Sequence, residues 1–141
     1  MYSTVFKGFF IGDTGIYTRF IRPESEDKCP LVVILHGLPG TETNLDLAYY
    51  LREHGYGVLA PNYNGSWGSR GDYSIKNIPG NVKSVLNLIY EDNEFGQTYG
   101  IDTGRVAVVG HSVGGWATLI SPKIEPRING IVALDPMIDP L

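Results

Sequence analysis

Residues 110–114 read Gly-His-Ser-Val-Gly, placed between a β-branched run, "RVAVV", and a stretch of helical character, "VGGWATLI". A strand that turns at once into a helix forces the middle residue into strained backbone angles, and the flanking glycines relieve the crowding. The hydroxyl of Ser112 is then held above the sheet. It sits at a helix N-terminus, where free N–H groups and the positive end of the dipole favour developing negative charge. That arrangement suits nucleophilic attack on a carbonyl, with the backbone N–H of Val113 as one oxyanion donor. The plainer reading is a serine that caps the following helix. A bare Gly-x-Ser-x-Gly is common by chance, so the elements around it decide.

Those elements are legible. "TVFKGFF" and "GIYTRFIRP" are short β-branched and aromatic runs separated by turn chemistry, which predicts an antiparallel hairpin. Continuous apolar runs at 31–35, 57–61, 105–109 and 130–134 predict strands buried on both faces. Between them, Leu45, Leu47, Ala48 and Leu51 outline one helical face. A second helix begins at Pro79 with Val82, Val85, Leu86 and Ile89, and a third follows from Val113. Alternation of this kind predicts an α/β fold, a mostly parallel sheet with helices on both faces and the hairpin to one side. Ligands of such sheets bind at the carboxyl ends of the strands. Three segments converge there: 36–40 ("HGLPG"), 62–71 ("NYNGSWGSRG") and 110–115 ("GHSVGG").

Composition narrows the function classes. With 141 residues the chain is one domain long, 43% hydrophobic and 18% charged, which is globular composition. A net charge of −4 with scattered Lys and Arg gives no nucleic-acid or membrane surface. No apolar run reaches the roughly 18 residues of a membrane span, and the N-terminus lacks a signal-peptide pattern. The single cysteine, Cys29, cannot form an internal disulfide, so a cytoplasmic setting is expected. No cluster of His, Cys and carboxylates suggests a metal.

Taken together, "LVVILHGLPG", "GYGVLAPNYNGSWGSRG" and "GIDTGRVAVVGHSVGG" resemble the α/β-hydrolase fold. Within it they are most similar to the prolyl-oligopeptidase and dienelactone-hydrolase-like branch, over nearly the whole chain from about residue 14. The resemblance implies Ser112 as nucleophile, with the N–H groups of Val113 and Leu38 as the oxyanion hole. Pro39 has no N–H to offer. Asn62, Tyr63 and the loop after them would line the site, while Asp102 and Arg105 read as turn and strand-entry residues. Neither metal nor organic cofactor is required. The expected reaction is cleavage of a small-molecule ester or a peptide through an acyl-serine.

The expected triad is incomplete. In this fold the order along the chain is Ser, then Asp or Glu, then His, and no histidine follows Ser112. His111 adjoins the nucleophile at a tight turn, His36 belongs to the His-Gly motif and reads as a structural hydrogen-bonding residue, and His54 falls at the tail of the first helix, away from the active end. Asp135, just past the fourth buried run, is the candidate acid, a turn residue before Pro136 being the plainer reading; Asp139 is weaker. The chain is therefore expected to be a single, truncated α/β-hydrolase domain over 1–141, inactive or very weak by itself. A homodimer, or association with a missing C-terminal portion, would cover the strand at 130–134. A non-catalytic pseudo-enzyme or binding module on the same fold is the alternative, and a non-hydrolytic enzyme of this fold the third reading.

Overall fold

The structure, a computed structural model, describes residues 3–40 and 43–141. One six-stranded sheet runs in the order β1-β2-β4-β3-β5-β6. The hairpin strands β1 (Thr4–Phe10) and β2 (Tyr17–Pro23) pair antiparallel, and β2 joins β4 (Gly57–Pro61) antiparallel as well. From there β4, β3 (Cys29–Leu35), β5 (Ile101–His111) and β6 (Gly130–Leu134) are parallel. The parallel sheet and its flanking hairpin are those the apolar runs predict.

Helix α1 (Leu45–Glu53) covers one face, packing Leu45, Leu47, Ala48 and Leu51 on Ile21, Val32, Ile34, Val58 and Ala60. Helices α2 (Ile78–Tyr90), α3 (Phe95–Tyr99) and α4 (Val113–Ile124) cover the other. There Val82, Val85, Leu86 and Ile89 meet the opposite rows of β3 and β5. Each strand of the centre is thus apolar on both sides because each side has a helix to bury it. No helix among the described residues is long and apolar enough to cross a membrane.

Two elements differ from the sequence expectation. β5 begins at Ile101 rather than 105, with a register shift against β3 between Cys29 and Leu31. The cause is local: Asp102 accepts the Gly104 N–H at 2.9 Å and the Arg105 Nε–H at 2.7 Å, folding a small turn into the strand. The other difference is β6, which pairs with β5 as expected but is not buried. Four of its five residues are exposed, because no described strand lies on its outer side.

Candidate active site

Ser112 occupies the junction between β5 and α4 with φ 58° and ψ −120°. A non-glycine residue in this region costs on the order of 1–3 kcal/mol, and it persists only where its surroundings impose it. Here they do. The Ser112 N–H donates to the Leu134 carbonyl at 3.1 Å, and its own carbonyl accepts the N–H of Trp116 (3.1 Å) and of Met137 (2.9 Å). The bond from Trp116 starts the helix; the other two tie the turn to β6 and the loop beyond it.

The glycines around Ser112 are steric necessities. A Cβ on Gly110 would lie 2.1 Å from the Gly114 carbonyl oxygen, and one on Gly114 would lie 2.0 Å from the oxygen of Leu35 and 2.4 Å from that of His36. The N-terminus of α4 is therefore pressed directly on the end of β3. At Gly37 a Cβ would come within 3.5 Å of the Ser112 Cβ, so the His36-Gly37 turn runs beside the nucleophile. Val113, the first residue of α4, offers an N–H with no intrahelical acceptor. Leu38 follows Gly37 with its side chain 57% exposed.

His36 is the structural hydrogen-bonding residue that the His-Gly motif suggests, at the centre of a clamp on this turn whose partners the sequence does not disclose. His36 is 3% exposed, with its ring packed 4.1 Å from that of Tyr63 and 4.6 Å from that of Trp67. Its Nδ1 meets the Gly37 carbonyl at 2.7 Å, and its Nε2 meets the Tyr63 N–H at 3.1 Å. A carbonyl only accepts and a backbone N–H only donates, so the proton sits on Nδ1 and the ring is neutral. Tyr63 Oη–H donates back to the His36 carbonyl at 2.9 Å, and Trp67 Nε1–H donates to Gly40 at 2.9 Å. The 62–71 loop thus fixes the course of residues 36–40. His36 in "HGLPG" and the aromatics in "NYNGSW" were visible as motifs; their contact, 27 residues apart, was not.

Asn62 and Tyr63 were expected to line the site. Each is 2% exposed. Asn62 Nδ2–H donates to the Trp67 carbonyl at 2.7 Å, while the Tyr63 phenol is committed to His36. Their side chains shape the loop from beneath. Asp135 lies on the exposed turn after β6 with φ 47°, and among the described residues its carboxylate has no hydrogen-bond partner. His111 is exposed. His54 caps the end of α1 and lies against Tyr50, beside a cleft of about 510 Å³ lined by Glu24, Asp27, Cys29 and Arg105. That cleft and a neighbouring one of about 390 Å³ occupy the amino edge of the sheet, opposite Ser112. Among the described residues no group of three or more His, Cys, Asp or Glu is placed to hold a metal ion.

Burial holds the His36 imidazole down to about 4 from an ordinary 6.5; the Gly37 carbonyl opposes that shift and the charge of Arg19 adds to it. Protonation would also bring a second N–H against that of Tyr63. Between pH 6.5 and 4 the unfolded chain takes up a proton that the folded chain refuses. Stability from this group is therefore full above pH 6.5 and is lost as the pH falls toward 4, by up to about 3 kcal/mol. Urea unfolding at pH 7.5 and pH 5 is expected to show a slope that His36→Asn removes while lowering stability at pH 7.5. An unchanged slope in the variant would show that His36 is not its source.

The Alpha/beta hydrolase family model matches residues 32–141, the stretch that carries the sheet centre, the clamp and the serine turn. The chain belongs to the α/β-hydrolase family. It is 39% identical over 105 residues to acylamino-acid-releasing enzyme 1 of Oryza sativa subsp. japonica, covering 70% of this chain and 13% of that one. A second relative, YitV of Bacillus subtilis (strain 168), whose name calls it an esterase, is 31% identical over 112 residues, or 73% of this chain and 43% of its own. The structure of Est1E from Butyrivibrio proteoclasticus, solved with ferulic acid, superposes with a TM-score of 0.75 at 23% identity, over 91% of this chain and 52% of that one. The α/β-hydrolase fold is thus shared, and the chain spans less than half the length of either relative it matches in sequence.

Proposed function

We propose that residues 1–141 are the nucleophile-bearing part of a serine hydrolase that cleaves a carboxylic ester or a peptide bond. The observation that carries this reading is the backbone of Ser112, held at φ 58° by three hydrogen bonds at the carboxyl edge of the sheet. A serine that only capped α4 would need no such conformation, and its side chain makes no cap hydrogen bond. The names of the two relatives, an acylamino-acid-releasing enzyme and an esterase, fit acyl transfer from either leaving group.

In this reading Ser112 Oγ attacks the substrate carbonyl as its proton passes to a base. The N–H groups of Val113 and Leu38 receive the oxyanion, and collapse of the tetrahedral adduct expels the alcohol or amine with that proton. Water then attacks the acyl-serine by the same route, releasing the acid and restoring the hydroxyl. His36 is excluded as the base because both its ring nitrogens are engaged. The base is a histidine outside these 141 residues, and Asp135 is the carboxylate available to orient it. The binding-module reading draws its support from a related fact: among the described residues no histidine hydrogen-bonds to the Ser112 hydroxyl.

Labelling with a fluorophosphonate and turnover of an activated ester test both readings. For the chain alone, turnover is expected only within the range of about 10³–10⁴ over water that an oxyanion hole and binding leave behind, and Ser112→Ala is expected to abolish it. Turnover at ordinary enzyme rates that is lost in both Ser112→Ala and His36→Ala would overturn the missing-base argument. Turnover and labelling unaffected by Ser112→Ala would overturn the nucleophile assignment.

A further inference from the structure

Among the described residues Arg19 is a cation without a counter-ion. It lies in β2 opposite Ala60 and Gly8, on the α1 face of the sheet. Among the described residues no carboxylate forms an ion pair with it. Its one hydrogen bond is a long one, Nη2 to Asn62 Oδ1 at 3.5 Å, and its Nε–H is buried with no acceptor. Burial shifts the guanidinium pKa downward, and its charged-state neighbours are the phenols of Tyr17 and Tyr49. A partly desolvated guanidinium with an unused donor is costly unless something completes it.

Its surroundings are aromatic. The position opposite it on β1 is Gly8, and the Tyr17 phenol occupies the space that a side chain there would fill. Phe10 packs edge-on to Tyr17 at 5.5 Å and is 40% exposed, Tyr49 is 44% exposed, and Arg70 lies 4.5 Å over the Phe10 ring. Tyr17 and Asn62 stand at the same carboxyl edge as Ser112, and β2 is three strand positions from β5, about 14 Å away. That separation is within reach of a substrate a few residues long.

We propose that Arg19, with Tyr17, Phe10 and Tyr49 around it, forms a subsite for a carboxylate carried next to an apolar or aromatic group, at the far end of a substrate whose acyl carbon sits at Ser112. The two Nη groups, of which only Nη2 carries a hydrogen bond and that a long one, present the fork that a carboxylate accepts from in two places. The substrate link rests on the hydrolase reading. The subsite itself is read by binding alone, so its failure and that of the hydrolase reading are separable.

The test is a benzoate titration of the full chain, following the Arg19 Nε–H signal by NMR, assigned by its absence in Arg19→Lys. Benzoate is expected to shift that signal with a Kd in the millimolar range, and inorganic phosphate to bind several-fold more weakly. Arg19→Lys should weaken benzoate about tenfold with the rest of the spectrum unchanged, which shows the fold intact. Phe10→Ala should weaken benzoate and leave phosphate as it was. An Arg19 signal indifferent to benzoate would overturn the proposal, as would phosphate binding equal to benzoate or a Kd unchanged in Arg19→Lys.

Discussion

Gly114→Ala is expected to cost at least about 3 kcal/mol of folding stability, out of the roughly 5–15 kcal/mol that a domain possesses. The added methyl would lie 2.0 Å from the Leu35 oxygen and 2.4 Å from that of His36, backbone atoms of two buried residues at and just past the end of β3. No rotamer change relieves such an overlap. Helix α4 must lift from the sheet by an ångström or more, and Val113 and Ala117, both fully buried, would lose their packing with it. Gly80→Ala is the matched control. It lies on α2 with nothing within 4 Å of its added methyl, and alanine favours a helix over glycine by about 0.5–1 kcal/mol. The two substitutions are chemically identical and should move the urea midpoint in opposite directions. Because Gly114 also spaces the serine turn from the His36-Gly37 turn, fluorophosphonate labelling of Ser112 should fall in Gly114→Ala and not in Gly80→Ala. Equal midpoints for Gly114→Ala and the parent chain would mean that helix and strand do not meet as closely as described.

The contrast between these two glycines shows what a sequence discloses. Gly110 and Gly114 were legible because their spacing about Ser112 names a turn that few other residues permit. The strand centres were legible for a similar reason: "LVVIL" and "GVLAP" are apolar without alternation, which only a doubly covered strand needs. Neither signal says what lies across the turn. His36 takes its tautomer from Tyr63, Trp67 reaches Gly40, and Asn64 pairs with Asn81; each partner comes from a separate element, brought near by topology. The same limit made Asn62 look like a lining residue. An asparagine after a buried strand can face a ligand or bind the loop behind it, and only the position of the Trp67 carbonyl decides. At β5 the local chemistry was present in Asp102 and Arg105, but the strand's resumption before that turn depends on Cys29 and Gly100 lying alongside. The short α3 gives no periodic signal at all; it is held by Phe95, 1% exposed, against the core.

At micromolar concentration this chain is expected to associate rather than to sediment as a free monomer. β6 pairs with β5 on one side only, and among the described residues no strand meets its outer edge. Such an edge presents a row of unpaired N–H and C=O groups, which proteins usually guard with lysine, proline or a bulge. "GIVAL" contains none of these. The side chains compound the exposure: Val132 is 54% exposed and Leu134 47%, with Met137 at 36% and Ile138 at 75% in the loop after them. Val132 and Leu134 share the α1 face of β6, and an apolar strip along an edge strand is one that soluble monomers rarely leave open. The strip also borders the serine turn, since Leu134 and Met137 supply two of the three backbone hydrogen bonds to Ser112. Whatever pairs with β6 would therefore steady the nucleophile as well. Sedimentation velocity should show dimers or larger species, and Val132→Lys should shift them toward monomer by placing a charge on the edge. Fluorophosphonate labelling of Ser112 should slow in Val132→Lys if the lost neighbour had held the Leu134 and Met137 bonds in place. A parent chain that sediments as a monomer, with amides 131–134 protected from exchange, would show that β6 closes the sheet by itself.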